Sequence, residues 1–563
     1  MPPMPRTVTT AAFVMAVALG GAGPGMAEVD AGAYLSARAA LQAGDFASAA
    51  PYLLSALGSD PGNPQILESA IIAQLGRGEF TRAEPVARQM EESGVESPRA
   101  AMVLVAADVR AGNWDGILAS LDAGRRVSPL ADALTRGWAH LGAGRVQAAL
   151  AAFDAMAETP GMRGFALQHK ALALALAGDF EGAEAIYSLP PGQGPIPTRA
   201  VIMARAEVLA QLGRIEEARD LVRMAQSRVT DPVLAALAAR LEAGEAVPFS
   251  QVRDAADGMA EAWFTIAGAL VDESSDLNVL MHVRIAEAMN PAHVDALFLA
   301  AQILERMEQY GAARAAYADV PADHPLHAMA ELGRADVLRR QGETGAAIEV
   351  LAALLRGNPD FGPAAQRLGD ALRAADRGEE AMVAYSRALD LAGPEDSARW
   401  RLLFARAVTR FWLDDWDGAE ADFRAAIDLQ PAEPSLLNYY GYSLVDRGEK
   451  LAEALEMIER AVALDPRNGA YIDSLGWAYY RLGRFEDAVI TLERAATLES
   501  ADPVVNDHLG DAYWRVGRLR EARFQWLRAL SFDPEEADAQ AIRHKLDFGL
   551  AEETGAAMVA DGG

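Results

Sequence analysis

The stretch that decides the fold lies near the carboxyl end and reads DSLGWAYYRLGRFEDAVITLERA over residues 473–495. Starting 34 residues later, residues 507–529 read DHLGDAYWRVGRLREARFQWLRA, with leucine–glycine, tyrosine, alanine, a large apolar residue and alanine at the same positions. Copies continue upstream around Gly441, Ala407 and Gly369, and weaker ones reach back to Gly44. One such unit cannot bury its apolar faces alone, so the period predicts stacked repeats with a continuous core.

Each repeat predicts two antiparallel helices, here called the first and the second helix. The small residue at Gly476 or Gly510, here called the glycine slot, faces an alanine of the second helix and allows the two helices to approach closely. A glycine such as Gly483 ends the first helix, because the left-handed cap conformation needs a residue without a β-carbon. Asp-Pro pairs such as 465–466 end the second helix. The pattern therefore predicts an all-α chain.

These residues resemble the tetratricopeptide repeat, a helix–turn–helix unit of about 34 residues. The resemblance implies a right-handed α-solenoid of about 14 repeats over nearly the whole chain. We predict a degenerate N-terminal array over residues 28–243, a hinge over 244–258, where the pattern falters near Pro248, and a C-terminal array over 259–536. Residues 537–563 are expected to form a capping helix and a disordered tail.

The beginning of the chain has the order of a secretory signal peptide. Arg6 precedes an apolar run over residues 11–19, glycines and Pro24 follow, and small residues stand before Glu28. We expect cleavage after Ala27, so that residues 1–27 are removed and a periplasmic protein without a transmembrane helix remains. The chain has no cysteine, which excludes disulfides and a lipidated cysteine.

The formal net charge of −29, with 51 Lys+Arg against 80 Asp+Glu, argues against nucleic acid or an anionic membrane as the main partner. Catalytic signatures are weak. Asp473, Ser474, Asp507 and His508 could suggest a hydrolytic triad, but their spacing follows from the repeat. His324 and His327 are read as a solvated loop rather than a metal site. We expect a non-enzymatic protein without a cofactor or a metal.

The family resemblance implies that first helices line a concave groove. Its ligand-facing positions are the third before the glycine slot and the first, fourth and fifth after it. Trp400, Phe404, Phe411 and Trp412 are read either as core or as an apolar patch for another subunit. Val445 also occupies one of these positions. We expect partner binding by a polar and aromatic set, here called the groove residues: Asn438, Tyr442, Asp473, Trp477, Tyr480, Arg481, Asp507, Asp511, Trp514 and Arg515.

The C-terminal block is similar to that of large tetratricopeptide proteins of the Gram-negative envelope, some of which act as adaptors for a carboxyl-terminal processing protease. The resemblance implies a periplasmic scaffold that holds such a protease, or another envelope enzyme, together with a cell-wall hydrolase client. Adaptors of this kind are commonly lipoproteins, whereas this chain lacks cysteine. The alternative is a structural scaffold of an exopolysaccharide-export or outer-membrane assembly machine.

Overall fold

A computed structural model describes residues 31–227, 231–394 and 396–550. These residues form thirty α-helices and no strand, and twenty-six of the helices form thirteen sequential antiparallel pairs, with α13, α18, α19 and α30 outside these pairs. The all-α repeat architecture is thereby confirmed. The predicted signal peptide over 1–27 and the end of the tail, from residue 551, lie outside the described residues.

The chain divides into two compact units between Leu354 and Leu355. The helices of the first unit, the last of which contains the boundary, are α1 (Ala31–Gln42), α2 (Phe46–Ser59), α3 (Pro64–Gly76), α4 (Phe80–Glu92), α5 (Pro98–Arg110), α6 (Trp114–Asp122), α7 (Pro129–Gly142), α8 (Val146–Ala157), α9 (Arg163–Leu176), α10 (Phe180–Tyr187), α11 (Arg199–Gln211), α12 (Ile215–Gln226), α13 (Pro232–Glu242), α14 (Ala255–Leu270), α15 (Asp276–Met289), α16 (Val294–Arg306), α17 (Tyr310–Ala318), α18 (His327–Arg340) and α19 (Thr344–Gly357).

The second unit begins within α19 and contains five helix pairs and a final single helix. Its helices are α20 (Gly362–Ala374), α21 (Gly378–Leu391), α22 (Arg399–Trp412), α23 (Trp416–Leu429), α24 (Pro434–Arg447), α25 (Leu451–Leu464), α26 (Gly469–Arg481), α27 (Phe485–Leu498), α28 (Pro503–Arg515), α29 (Leu519–Leu530) and α30 (Glu536–Phe548). In each pair from α14 onward the even-numbered helix is the first helix, whereas in the pairs from α1 to α12 the odd-numbered helix is the first helix. The last helix, α30, packs on α29, at the place where the sequence predicted a capping helix.

The glycine slot brings the two helices of a repeat together. A β-carbon on Gly476 would lie 2.5 Å from Leu492 Cγ, and one on Gly510 would lie 2.5 Å from Trp526 Cδ1. Any larger residue in the slot would push the second helix away, which costs packing energy. In these two repeats the slot is glycine because the large apolar side chain of the second helix fills the space beside it. The sequence indicated a close approach only to an alanine of that helix.

The predicted helix boundaries agree with local backbone chemistry. Gly483 has φ +73°, and its amide donates to the Tyr480 carbonyl at 2.9 Å, as a left-handed cap requires. At the start of α28, Asp502 accepts from the amides of Val504 and Val505, and Pro503 occupies the first turn, where a missing amide proton is harmless. Such caps repeat along the chain and fix the register of each helix pair.

Residues 244–258, for which the sequence suggested a hinge between two arrays, lie inside the first unit. Glu207 of α11 accepts hydrogen bonds from the amide and hydroxyl of Ser250 and from the side-chain amide of Gln251, at 2.7–2.8 Å. Arg253 forms a double hydrogen bond with Asp257 at the start of α14. The segment therefore leads directly from α13 into a helix of the same compact unit.

Candidate functional site

The first unit fills its own first-helix face. Helix α14 packs against α5, α7 and α9, which are first helices, and α15 packs against α3 and α5. At the centre of this contact a β-carbon on Gly258 would lie 2.1 Å from the ring of Trp138. Trp138 and Trp263 are both buried. The face that the family resemblance assigns to ligands is thus occupied, in this unit, by the chain itself.

The second unit has a different first-helix face. Its first helices α20, α22, α24, α26 and α28 pack against their own partner helices and their sequence neighbours. Within residues 355–394 and 396–550 no helix packs across α20, α22, α24 or α26 as α14 does across α7. The second unit therefore carries the candidate binding groove, and the predicted groove residues all belong to its helices.

The groove residues differ in how much surface they present. Three of them, Asp473, Tyr480 and Asp511, are buried and contact other residues of the chain. Arg481 is exposed, and its guanidinium donates to the Asp446 carbonyl at 3.2 Å. The half-buried members, which retain some accessible surface, are Asn438, Tyr442, Trp477, Asp507, Trp514 and Arg515.

A stack of three rings forms the middle of this face. The ring of Trp477 lies between Tyr480, with centroids 4.6 Å apart, and His508, with centroids 4.1 Å apart, and all three are nearly parallel. The carboxylate of Asp473 contacts His508 Nδ1 at 3.0 Å. Burial favours a neutral ring, but the nearby carboxylate outweighs it and raises the pKa of His508. The stack therefore contains a histidine–carboxylate contact beneath its aromatic surface.

The capping helix covers the last part of the face. Lys545 of α30 donates to Asp507 Oδ2 at 2.7 Å and to Asp511 Oδ2 at 2.8 Å. Burial opposes the charged amine, but the two carboxylates outweigh it and raise the pKa of Lys545. Asp511 also accepts from Trp526 Nε1 at 2.9 Å, so its side chain contacts α29 and α30 rather than solvent.

Trp514 is likewise covered in part. Its ring packs on Trp526, with centroids 5.3 Å apart, and a β-carbon on Gly549 would lie 2.2 Å from it. The sequence did not indicate this cover, because Gly549 follows the repeats and matches none of their positions. The accessible part of the groove is consequently centred on α22, α24 and α26.

Two polar oxygens on this face lack a hydrogen-bond partner among the described residues. They are Asn438 Oδ1 and Asp507 Oδ1, and both are buried. Both residues occupy the third position before the glycine slot, in α24 and α28. A buried acceptor without a donor costs free energy, so these two positions are local weak points of the packing on this face.

Trp412 is a candidate that the sequence analysis left among core or patch residues. Its side chain is 70% exposed, and its Nε1 donates to the hydroxyl of Tyr439 at 3.0 Å. It is the fifth residue after Ala407, which fills the glycine slot of α22, so it occupies the same position as Arg481. The other members of that cluster, Trp400, Phe404 and Phe411, are half-buried. The repeat spacing was the signal that could have placed Trp412 in the groove.

The side chains that could suggest hydrolysis do not assemble into a triad. Ser474 Oγ donates to the Ala470 carbonyl at 3.0 Å, within its own helix, while His508 contacts Asp473. His324 Nδ1 accepts from the amide of Leu326, and His327 Nδ1 contacts the Val320 carbonyl. In the part of the chain that the structure describes, no cluster of three metal-ligating side chains occurs, and no helix has the length and apolarity needed to cross a bilayer.

Comparisons with known proteins agree with the repeat pattern. The tetratricopeptide repeat family model matches residues 34–101, 298–363, 332–398, 404–469 and 441–503. TPR repeat-containing protein PA4667 of Pseudomonas aeruginosa is 33% identical over 160 residues, which are 28% of this chain and 26% of that protein. The matched region thus spans about a quarter of the relative.

Two solved structures align with this chain. The Cut9–Hcn1 hetero-tetramer of the APC/C aligns at 16% identity with a TM-score of 0.38, covering 93% of this chain and 97% of that one. A thermophilic tetratricopeptide protein of Thermus thermophilus aligns at 26% identity with a TM-score of 0.28, covering 32% of this chain and 95% of that one.

Proposed function

Because the chain carries tetratricopeptide repeats in both of its units, we propose that it is a non-enzymatic protein-binding adaptor of the bacterial periplasm. The first-helix face of the second unit holds a protease or a cell-wall enzyme, in the leading case a carboxyl-terminal processing protease, together with its hydrolase client. The observation that carries this proposal is the contrast between the two units. Helices of the first unit cover this face of that unit, whereas within the second unit only α30 covers part of it, at α28.

The chemistry of the open face suits an extended polypeptide. Trp412 and Trp477 offer large, rigid contact areas that lose little side-chain entropy on binding. The half-buried Asn438 and Tyr442 add polar side chains, and Arg481 is an exposed donor. A repeat groove with alternating aromatic and polar positions can bind a peptide along several repeats at once.

A capture experiment tests the proposal. The mature protein and a Trp412→Ala/Arg481→Ala variant are used to capture partners from a periplasmic extract after cross-linking, and the partners are identified by mass spectrometry. Because exposed aromatic and arginine anchors dominate many interfaces, we expect the variant to lose about tenfold in affinity for the captured protease or hydrolase. Ile490→Ala is the matched control, since Ile490 is 69% exposed on a second helix outside the groove.

The outcomes separate the proposals clearly. Capture of a protease or cell-wall hydrolase by the wild type, with loss in the groove variant and retention in the control, supports the adaptor. Equal capture by all three proteins would place the binding site elsewhere in the chain. Outer-membrane barrels or glycan-export components among the specific partners would replace the adaptor with the export-machine scaffold.

Export is tested separately. If residues 1–27 act as a cleaved signal peptide, mass spectrometry of the protein isolated from the periplasm of its source bacterium will show an amino terminus at Glu28. An intact amino terminus on protein recovered from the cytoplasm would contradict the periplasmic role while leaving the groove unaffected.

A further inference from the structure

The last second helix of the array, α29, reverses the charge of the second helices before it. Helix α29 contains three arginines and one glutamate, whereas α25 and α27 each contain three carboxylates and one arginine, and α23 contains four carboxylates and one arginine. This local positive charge stands in a chain with a formal net charge of −29. It is therefore a local property of α29, and the composition as a whole does not produce it.

The same helix carries two large apolar residues on its outer surface. Phe524 is 62% exposed and Leu527 is 58% exposed. At the same positions α27 holds Ile490 and Glu493, and α25 holds Glu456 and Glu459, all of them exposed. Of these three helices α29 is thus the one with large apolar residues at both positions, where α25 tolerates two carboxylates. Two exposed apolar side chains one turn apart form a contiguous apolar surface, which is typical of a contact site rather than of a solvated face.

The hydrogen bonds that Arg523 and Arg528 make do not neutralise the positive charges of these side chains. Arg523 Nη1 donates to the Leu546 carbonyl at 2.6 Å, and Arg528 Nη2 donates to the Ser500 carbonyl at 2.9 Å. Both acceptors are main-chain carbonyls, which carry no formal charge. Arg520 is exposed one turn before Phe524. The contact of Arg523 also brings the end of α30 close, where Phe548 is 76% exposed.

We propose that this outer surface of α29, the α29 patch, binds an anionic phospholipid bilayer. It consists of Arg520, Arg523, Phe524, Leu527 and Arg528. Guanidinium groups bind lipid phosphates with paired N–H donors, while phenylalanine and leucine enter the boundary between headgroups and acyl chains. The acidic helices do not prevent this contact, since salt screens charges beyond about 8 Å. The patch lies on a second helix, so lipid binding leaves the groove of the first helices accessible.

A bilayer matches the patch better than an acidic protein does. The outermost positions of a second helix present Phe524 and Leu527 outward, where a flat surface can contact both of them together with the arginines. A protein partner would need a pocket shaped for these two side chains. Phosphate groups at a bilayer surface are dense enough to meet all three arginines without such a pocket.

Vesicle sedimentation tests the proposal with the full mature chain. The probes are phosphatidylcholine vesicles with and without about 30% phosphatidylglycerol, at about 0.1 M and about 0.5 M salt. We expect binding to the anionic vesicles only, with a partition coefficient that falls at least about fivefold at the higher salt. The Phe524→Glu/Leu527→Glu variant, which carries the residues of α25, should fall at least about tenfold.

Two further variants keep the test specific. Val383→Glu changes an apolar residue that is 71% exposed at the corresponding position of α21, and it should bind as the wild type does. Arg520→Gln removes one charge without touching the apolar pair, and it should reduce binding about fivefold. Each variant is compared by its unfolding transition, so that loss of structure is recognised.

Several results would overturn the proposal. Absence of wild-type binding to anionic vesicles, or equal binding to neutral ones, would remove the bilayer as the ligand. Wild-type levels of binding in the Phe524→Glu/Leu527→Glu variant would remove the α29 patch as the site. If the wild type instead sediments as a dimer that this variant dissociates, a second copy covers the patch. A specific acidic protein that competes with vesicles at equal ionic strength would identify that protein as the natural occupant.

Discussion

Both units contain a tryptophan–histidine pair at the same repeat positions, but the pKa of the histidine and the cover over the tryptophan differ between the units. In each unit the members are 31 residues apart, as Trp138 and His169 and as Trp477 and His508. The tryptophan comes one residue after the glycine slot of its own repeat. The histidine comes two residues before the glycine slot of the next repeat. In both pairs the rings are in contact, with centroids 6.0 Å apart in the first unit and 4.1 Å apart in the second.

In the first unit the histidine is neutral. Trp138 Nε1 donates to His169 Nδ1 at 3.2 Å, so this nitrogen is the acceptor. The third position before the glycine slot holds Leu134, which is fully buried. With no carboxylate at this position, burial lowers the pKa of His169 to about 3. Helix α14 then covers the pair, because Gly258 lies against the ring of Trp138.

In the second unit the equivalent of Leu134 is Asp473, and the pKa of the histidine shifts in the opposite direction. Although burial opposes the charge, this carboxylate raises the pKa of His508, and Trp477 stacks on the ring with part of its surface accessible. The residue at one repeated position thus accompanies opposite shifts in the pKa of a buried histidine. A helix from elsewhere in the chain decides whether the tryptophan beside it is core or surface.

A large effect is expected when the contact of α14 with α7 in the first unit is disrupted. Gly258→Ala places a methyl group about 2 Å from the ring of Trp138, so α14 must move and the free energy of unfolding of this unit should fall by about 3 kcal/mol. Gly268→Ala is the matched control in the same helix, because a β-carbon there meets no atom within 4 Å. Denaturant titration followed by hydrogen exchange of α7 and α14 measures the loss. Equal stability of both variants would show that the contact does not hold α14 in place.

The second effect concerns the cap of the second unit. Lys545→Ala leaves the neighbouring carboxylates of Asp507 and Asp511 without their cation, and we expect a loss of about 2 kcal/mol in the free energy of unfolding. The Asp507→Asn/Asp511→Asn double substitution in the Lys545→Ala background should recover part of this loss, since it removes the repulsion. Thermal unfolding measures both changes. A loss that the double substitution leaves unchanged would assign the effect to packing rather than to charge.

The third effect is a pH dependence of opposite sign in the two units. The pKa of His169 is lowered, so its contribution to stability is complete above the unfolded value near 6.5 and is lost as the pH falls below it. The pKa of His508 is raised, so its contribution is complete below 6.5 and is lost as the pH rises through the folded value. Hydrogen exchange of α9 and α28 should follow these signs, by up to about 1 kcal/mol per pH unit.

Exchange of the deciding residue sharpens this comparison. Asp473→Leu, which installs the residue of the first unit, should lower the pKa of His508 in an NMR titration, because the carboxylate that favours the charged ring is removed. Leu134→Asp should shift the pKa of His169 upward for the same reason. If neither value moves, the charge of these histidines depends on something other than the third position before the glycine slot.

The smallest expected effect on stability comes from the exposed groove. Trp412→Ala should change the free energy of unfolding by less than about 0.5 kcal/mol, because the side chain is 70% exposed. Trp138→Ala, at a fully buried position of a first helix, should cost about 3–5 kcal/mol. Comparing the two unfolding transitions checks which first-helix face is core. A large loss for Trp412→Ala would make it a structural residue and remove it from the proposed site.

Much of the fold could be predicted because its contacts are local. The glycine slot, the cap at Gly483 and the boundary at Pro503 depend on residues within one repeat, so a 34-residue period reveals them. The groove residues could be predicted only as positions on first helices. Asp511 and Trp514 match the groove pattern, yet Lys545 and Gly549 lie after the last repeat and cover them, and no period describes that segment.

The sequence by itself determined the all-α repeat architecture, the succession of helix pairs and the positions at which each pair touches. It did so because every repeat packs through the same positions, against neighbours that are close in sequence. Only the tertiary structure decided that the first unit closes over its own first-helix face while the second does not. That choice depends on contacts such as Gly258 with Trp138, which join distant repeats and leave no periodic trace in the sequence.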